Sequence, residues 1–272
     1  MGKFQDDTAL TERDGKLFAT LSRDWEIWGP NGGYVAAIAL RAAGKVAPAG
    51  HRPATVSVQY LSVAQFAEIE AVVEPVKKGR TAWCLNVALV QDGKRFLQAQ
   101  VWTTDRSEGP TTREIAMPDG VPAPASLRSW DEILPPDTPR SRFWRNFESK
   151  PLAVFEPGTP NPKGSVAQDW YRFRDFDAAG DPFLDSARAL LLIDTVPWPA
   201  FNRGLSSQAD YIAPSLDVSA WFHEPPGADW LFVDAHSGVA GGGLIQGTAR
   251  VWTADGRLAA TGASHMLVAK RG

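Results

Sequence analysis

The chain contains the same succession of elements twice. In the first copy, an alternating apolar run from Val56 leads to a Gly-Arg pair, an apolar strand, a turn around Asp92 and a closing strand. In the second copy, a run from Val218 leads to three glycines, a strand, a turn around Asp255 and a last strand. Since 162 residues separate Val56 from Val218 and 163 separate Asp92 from Asp255, the register persists with about one inserted residue. The sequence therefore predicts two copies of one supersecondary unit.

A helix rich in small or aliphatic residues precedes each copy. The first, over residues 31–44, begins with Gly32 and Gly33, which suit a helix start packed closely against another element. Gly44 suits a C-terminal cap of that helix. Each helix is followed by long strands with one apolar face, which predicts an α+β architecture in which an antiparallel sheet wraps a helix.

The second helix, over residues 182–194, carries a carboxylate on its apolar face. Pro182 occupies the favoured first turn of that helix. Four residues share one face by helical spacing: Ala187, Leu190, Leu191 and Asp194. A charged group on a buried helix face is the first indication of a catalytic or binding residue.

Composition excludes several classes of protein. The 272 residues are 44% hydrophobic and 22% charged, enough for one large domain or two packed ones. A net charge of −3 with scattered basic residues predicts no nucleic acid partner. The longest apolar run, Tyr34 to Leu40, is too short to span a bilayer, so no membrane insertion is expected. The lone Cys84 and the polar N-terminal segment predict a cytoplasmic protein without an internal disulfide. The four histidines show no metal-ligand spacing.

Eleven of the 21 prolines lie between Pro110 and Pro162, a stretch poor in apolar runs. Such a segment is typical of a connector that lies over the surface. We therefore predict an N-terminal repeat over residues 1–106, a Pro-rich connector over 107–165 and a C-terminal repeat over 166–272.

Three segments resemble the TesB-like acyl-CoA thioesterases of double hotdog type. They are Trp-Gly-Pro-Asn-Gly-Gly-Tyr-Val at 28–35, Leu-Ile-Asp at 192–194 and Ser-Leu-Asp-Val-Ser-Ala-Trp-Phe-His at 215–223. With the duplicated layout, the resemblance covers most of the chain outside the connector. It implies two hotdog units whose sheets join side by side into one long sheet, with two helices against it. It also implies an acyl-CoA substrate, a role in fatty acid metabolism, no metal or covalent cofactor, and a homo-oligomer.

The resemblance further implies a catalytic set. Asp194 takes the place of the family's Asp, and Ser215 that of the hydroxyl that orients the attacking water. The family's Gln falls at Ser264, whose shorter side chain would need a water to fill the gap. A slip of one residue would instead bring in His265, which could act as a base itself.

Other residues are candidates for holding the substrate. Free amides at the helix start formed by Asn31, Gly32 and Gly33 could polarise a thioester carbonyl, because N-H groups and the helix dipole converge there. Trp198 and Trp221 are candidate walls of an apolar pocket.

Structural alternatives stay open at this stage. Asp194 could simply cap the segment that follows it, and Ser215, which follows Pro214, could be only a turn residue. The three glycines at 241–243 favour a bulge or bend in a strand. Among functions, a non-catalytic acyl-CoA or lipid-binding protein is the alternative to an enzyme, and a structural module is the third.

Motifs of competing enzyme classes are missing. Gly262-Ala-Ser-His-Met266 fails the last position of Gly-x-Ser-x-Gly, which argues against an α/β-hydrolase. The sequence has neither a P-loop nor a complete dinucleotide-binding loop. None of the four histidines follows an aspartate by five places, the spacing of hotdog hydratases, so a thioesterase is favoured.

Overall fold

The computed structural model describes residues 1–112, 114–155, 159–206 and 211–270. Its centre is one twelve-stranded antiparallel sheet and two long helices. The strands are β1 Thr11–Arg13, β2 Lys16–Thr20, β3 Arg52–Tyr60, β4 Glu68–Lys78, β5 Ala82–Gln91, β6 Lys94–Thr104, β7 Phe147–Pro151, β8 Val166–Phe173, β9 Tyr211–Ile212, β10 Ser215–Phe222, β11 Trp230–Gly241, β12 Leu244–Thr253, β13 Leu258–Leu267 and β14 Ala269–Lys270. The helices are α1 Phe4–Asp7, α2 Gly32–Val46, α3 Trp130–Ile133, α4 Pro182–Thr195 and α5 Pro197–Arg203, with 3-10 turns at Arg23–Trp25, Pro124–Ser126 and Arg142–Asn146.

The two repeats join through β3 and β10 at the middle of the sheet, whose order is β1-β2-β4-β5-β6-β3-β10-β13-β12-β11-β8-β7. In this pairing Ser57 faces Ser219, and their hydroxyl oxygens lie 3.1 Å apart. These serines are corresponding residues of the two repeats, so a local twofold axis passes between them. The two-repeat, side-by-side arrangement implied by the resemblance, an α+β double hotdog, is confirmed.

The two long helices cross where glycine permits close approach. A Cβ added to Gly33 of α2 would lie 2.7 Å from the backbone of Leu191 in α4. One added to Gly44 would lie 2.7 Å from the ring of Phe183. Gly44 is therefore a packing residue inside α2, and not the C-terminal cap expected from the sequence, because the helix continues to Val46. The helices run antiparallel, so the start of α2 meets the end of α4.

Helix α4 is buried around its whole circumference, from Phe183 to Thr195. A helix with one apolar face would lie on a surface, whereas this one is enclosed by α2, α5 and the strands of both repeats. The predicted apolar face is therefore part of a larger buried surface, and Asp194 is inside the core.

The Pro-rich segment covers the outer face of the second repeat, the side of the sheet away from α2 and α4. A small apolar cluster forms there around Trp170, Phe232 and Trp252. The connector residues packed on this cluster are Met117, Val121, Leu127 and Leu152. The same segment also contributes β7, an edge strand, and the domain boundaries at 106 and 165 stay a prediction.

Tight turns close the hairpins of each repeat. Asp92 and Gly93, with φ of 51° and 72°, connect β5 to β6 as the sequence predicts. Gly242 and Gly243, with φ of 59° and 81°, connect β11 to β12, so the glycine triplet forms a hairpin turn and the expected strand bulge is wrong. Within the described residues, no helix is both long and apolar enough to cross a bilayer.

Candidate active site

Asp194 lies at the meeting point of the two helices, with only 4% of its surface exposed. It belongs to the last turn of α4, and a Cβ on Gly32, the first residue of α2, would lie 2.8 Å from its Oδ2 atom. The following helix α5 has Val196 at its N-cap and no side-chain cap. Asp194 therefore does not cap the segment after it, which removes the structural alternative considered from the sequence.

Two hydroxyl groups, one from each repeat, lie beside this carboxylate. The Tyr60 hydroxyl, at the end of β3, donates to Oδ1 of Asp194 at 3.3 Å. The Ser215 hydroxyl, at the start of β10, lies close enough to Asp194 to lower the pKa of its carboxyl group. The site is thus assembled from both repeats.

A break in strand pairing directs Ser215 inward. Ser215 pairs with Met266, but the register shifts before Asp217, which pairs with His265. Because directly paired residues share a face, Ser215 lies with the buried Met266 on the helix side, and Asp217 lies on the outer face. Ser215 is therefore a strand residue that faces the helices, and not only a turn residue.

Burial raises the pKa of Asp194 to about 6. The neighbouring Ser215 and Tyr60 hydroxyls and the Gly33 amide lower this pKa, and the charge of Asp217 raises it slightly. Near pH 7 the carboxylate is mostly ionised, yet it is a stronger base than an exposed aspartate. The positive end of the α2 dipole next to it favours the same ionised form.

The Tyr60 hydroxyl stays protonated across the working range of pH. Burial, and then the charge of Asp194, raise the pKa of Tyr60 well above its usual value of 10. The phenol is therefore a permanent hydrogen-bond donor to the carboxylate.

The start of α2 is tied to the end of α4. Asn31 caps α2 by accepting from the Tyr34 amide at 2.9 Å, and its Nδ2 donates to Oγ1 of Thr195 at 3.0 Å. The Gly33 amide is near the Asp194 carboxyl group and lowers its pKa. Asn31 thus ties the start of α2 to the end of α4, and polarisation of a carbonyl by the amides of residues 31–33 stays a prediction.

The structure separates the two candidates for the third catalytic position. Ser264 pairs with Val218 and Gly247, faces the helices, and its buried Oγ has no hydrogen-bond partner among the described residues. His265 faces the other way, with its side chain 51% exposed and Nδ1 3.5 Å from Asp217 Oδ2. The one-residue slip that would bring His265 to Asp194 is therefore wrong, because neighbouring residues of a strand face opposite sides.

The two candidate tryptophans are also on different sides. Trp198 is half-buried in α5, four residues after Asp194, and stacks on Phe201 with ring centroids 5.7 Å apart. Trp221 is 49% exposed on the outer face, because Ala220 and Phe222 take the inner positions of β10. The prediction that Trp221 lines the substrate pocket is wrong.

Exposed apolar side chains lie in the two loops that adjoin Asn31 and Tyr60 in the chain. Four of them come from the loop before α2 and the loop after β3: Ile27, Trp28, Leu61 and Val63. These loops touch, since a Cβ on Gly29 would lie 3.3 Å from Val63. In the part of the chain that the structure describes, no cluster of His, Cys, Asp and Glu suits a metal ion.

Two protein-family models match the chain. An acyl-CoA thioesterase N-terminal domain matches residues 21–104, and an acyl-CoA thioesterase C-terminal domain matches residues 118–268. The chain belongs to the acyl-CoA thioesterase family. It is accordingly a thioester hydrolase, and the TesB-like resemblance is confirmed. No curated protein matches the thioesterase chain by sequence.

Several solved structures share the fold of this thioesterase. A hot dog fold protein of unknown function from Alicyclobacillus acidocaldarius has a TM-score of 0.82 at 20% identity, covering 99% of this chain and 98% of its own. Acyl-CoA thioesterase II TesB2 from Mycobacterium marinum has a TM-score of 0.75 at 20% identity over 99% of both chains. A tesB protein from Mycobacterium avium subspecies paratuberculosis has a TM-score of 0.77 at 23% identity over 98% of both. At these identities the likeness shows the fold.

Tyr60 is the site residue that the sequence interpretation missed. The signal was present in the repeat itself. The alternating run Val56, Val58, Tyr60 corresponds to Val218, Ala220, Phe222, so a phenol stands where the second copy has a phenyl ring. A hydroxyl group present in only one repeat, at a position that is otherwise apolar, indicates a function specific to that repeat.

Proposed function

We propose that this thioesterase hydrolyses acyl-CoA with Asp194 as the general base. The observation that carries the proposal is a buried, ionisable carboxylate that accepts a hydrogen bond from Tyr60, has the Ser215 hydroxyl beside it and lies at the start of helix α2. Burial that raises its pKa to about 6 makes it more basic than an ordinary aspartate, while it stays mostly ionised at neutral pH. Another buried aspartate, Asp185, is instead paired with a cation, Arg188.

The proposed reaction begins with a water molecule oriented by Ser215. Asp194 takes one proton of this water while its oxygen bonds to the thioester carbonyl carbon, and the carbonyl oxygen becomes the oxyanion of a tetrahedral intermediate. When that intermediate collapses, the carbon–sulfur bond breaks. The proton held by Asp194 passes to the departing CoA sulfur, which leaves free acid, CoA thiol and an ionised Asp194. The adjacent start of α2 places a positive dipole end where negative charge develops.

The apolar loops beside the site favour an apolar acyl group. Four apolar side chains are exposed to solvent in these loops: Ile27, Trp28, Leu61 and Val63. An acyl chain that lies along the loops would contact them instead of water. Burying such side chains against a hydrocarbon chain gains about 25 cal/mol per Å². A fatty acyl-CoA fits this surface, whereas homo-oligomer formation, a role in fatty acid metabolism and a cytoplasmic location stay predictions.

The test is thiol release from a panel of acyl-CoA thioesters of short, long and aromatic acyl groups. We expect Asp194→Asn to lower kcat/KM on the best substrate by at least about 100-fold, because a carboxylate base contributes about 10²- to 10⁴-fold. Asp234→Asn is the matched control, because Asp234 is equally buried but lies on β11 and binds Gln168 and His236. Equal activity of Asp194→Asn and the wild type would refute the base assignment. Saturable acyl-CoA binding with no turnover by either would favour a binding protein.

A further inference from the structure

The active end of the helix pair is the end where the start of α2 meets the end of α4 and Asp194 lies. The local twofold axis relates this end to the opposite end, where the end of α2 meets the start of α4. Counted from Gly32 and from Pro182, Gly44 and Asp194 are each the thirteenth residue of their helices. The strand positions correspond too, because the register shift before Asp217 recurs in the first repeat between Pro53 and Thr55. The backbone scaffold is therefore the same at both ends.

The side chains at the two ends differ in a consistent way. Three polar residues of the site have apolar counterparts at the other end of the helix pair. The pairs are Asp194 with Gly44, Ser215 with Pro53 and Tyr60 with Phe222. Phe222 is buried without any hydroxyl, so a phenyl ring suffices for packing at this position of the fold. Packing therefore does not require the Tyr60 hydroxyl, which is present only at the end of the helix pair that also has the Asp194 carboxylate.

We propose that Tyr60 is a positioning residue of the thioesterase, whose hydroxyl fixes the orientation of the Asp194 carboxylate toward the attacking water. This inference rests on the proposed role of Asp194 as base. It adds a residue from the first repeat to a catalytic set drawn otherwise from the second.

The contacts define how the carboxylate is held. Oδ1 accepts from the Tyr60 hydroxyl at 3.3 Å, while Oδ2 faces Gly32, where even one methyl group would come within 2.8 Å. The same methyl group would lie 3.2 Å from Cζ of Tyr60. The two oxygens of Asp194 are thus in different surroundings, and rotation of the carboxylate would cost the phenol hydrogen bond.

The phenol itself is firmly placed. Tyr60 is the last residue of β3 and pairs with the buried Leu97 of β6. Because its hydroxyl stays protonated, the donor does not change with pH in the range where Asp194 titrates. A rigid donor on a neighbouring strand is a suitable support for a base that must keep one orientation.

The experiment is Tyr60→Phe, which reproduces the phenyl ring found at position 222. We expect kcat/KM at pH 7 to fall about 10- to 100-fold, with KM nearly unchanged, and the acidic limb of the pH profile to move to higher pH. The direction follows because the lost hydrogen bond favoured the ionised carboxylate. Raising the pH should restore part of the lost rate.

Tyr171→Phe is the matched control. Tyr171 is a buried tyrosine whose hydroxyl also donates to a buried aspartate, Asp169, at 3.2 Å, and Asp169 is paired with Arg203 away from the site. Each variant loses one tyrosine–aspartate hydrogen bond. Because the bond of Tyr60 is the less buried one, the drop in melting temperature of Tyr60→Phe should be no larger than that of Tyr171→Phe. Only Tyr60→Phe should move the pH profile.

Three outcomes separate the two proposals. An unshifted pH profile with less than a twofold loss in Tyr60→Phe, while Asp194→Asn is inactive, would overturn the positioning role alone. Full activity of Asp194→Asn would overturn the proposed function itself. In the double variant, Tyr60→Phe should cause almost no further loss beyond that of Asp194→Asn, because a residue that acts through Asp194 has nothing left to position.

Discussion

Gly32 of α2 and Asp194 of α4 lie so close together that there is no room for a side chain at position 32. A Cβ at Gly32 would come within 2.8 Å of Oδ2 and 3.2 Å of the Tyr60 ring. The first residue of one helix thus sets the position of a carboxylate in the last turn of the other. This contact crosses between the repeats, so the site depends on how the two repeats pack together.

We expect Gly32→Ala to reduce activity strongly while the protein stays folded. The added methyl group displaces the carboxylate and the phenol, and a misplacement of about 1 Å can cost about 100-fold in rate. The check is kcat/KM together with thermal unfolding.

Gly33→Ala should behave differently and serves as the comparison. Its methyl group would meet the backbone of Leu191 at 2.7 Å, so the helices themselves must separate. We expect a loss of about 1 to 3 kcal/mol in the free energy of unfolding, typical of overpacking. Normal stability of Gly33→Ala would contradict the close helix crossing.

The rate of hydrolysis should fall with acidity around the pKa of Asp194. A base must be ionised, and burial raises this pKa to about 6, so kcat/KM should drop tenfold per pH unit below about 6. The residual activity of Asp194→Asn should show no such limb. A wild-type profile flat down to pH 4.5 would show that Asp194 does not act as the base.

Asp194→Asn should stabilise the protein at neutral pH. The folded-state pKa, near 6, is above the unfolded value of about 3.9, so the folded protein releases this proton less readily. Ionisation of Asp194 therefore lowers the free energy of unfolding. This loss is absent below about pH 4, grows as the pH rises and is complete above about pH 6. A difference of about two pKa units corresponds to roughly 3 kcal/mol. Denaturant unfolding of both proteins should show a difference that grows from pH 4 to pH 7, and a difference of constant size would be inconsistent with titration of Asp194.

The fold was predictable because the pattern that determines it is repeated. Apolar alternation from Val56 and from Val218, with hairpin turns at matching distances, specifies strands, faces and order. Asp194 was predictable for a related reason, since its spacing put it on an apolar helix face. Local patterns of this kind can be extracted from a single sequence.

The rest of the site could not be predicted, because it depends on long-range contacts and on strand register. The Tyr60–Asp194 bond joins residues 134 positions apart, so no sequence window includes both. The choice between Ser264 and His265, and the side on which Trp221 lies, depend on a strand register. A shift of one residue reverses every face of a strand, and the shift between Ser215 and Asp217 has no distinct sequence signature.

Ser264 and His265 can be separated by substitution. Ser264 lies on the same strand face as Met266, the partner of Ser215, and its hydroxyl is free of partners among the described residues, so it is available to a bound water or substrate. We expect Ser264→Ala to lower kcat about tenfold without loss of stability, since it removes a buried unpaired hydroxyl. His265→Ala should stay within twofold of the wild type. The reverse result would restore His265 as a member of the site.

Acyl-chain preference should depend on Trp28 and not on Trp221. Both rings are about half exposed, at 44% and 49%, but Trp28 lies in the loop before α2, next to Gly29, whereas Trp221 lies on the outer face of the sheet. A hydrocarbon chain that leaves the Asp194 site past the loops would bury part of the Trp28 ring. Removing that contact should cost about 1 to 2 kcal/mol, or about 5- to 30-fold in kcat/KM for long chains. Short acyl groups end before the loop, so Trp28→Ala should leave them unchanged, and Trp221→Ala should alter neither. An equal loss on short and long substrates would mean that Trp28 supports the loop and does not contact the chain.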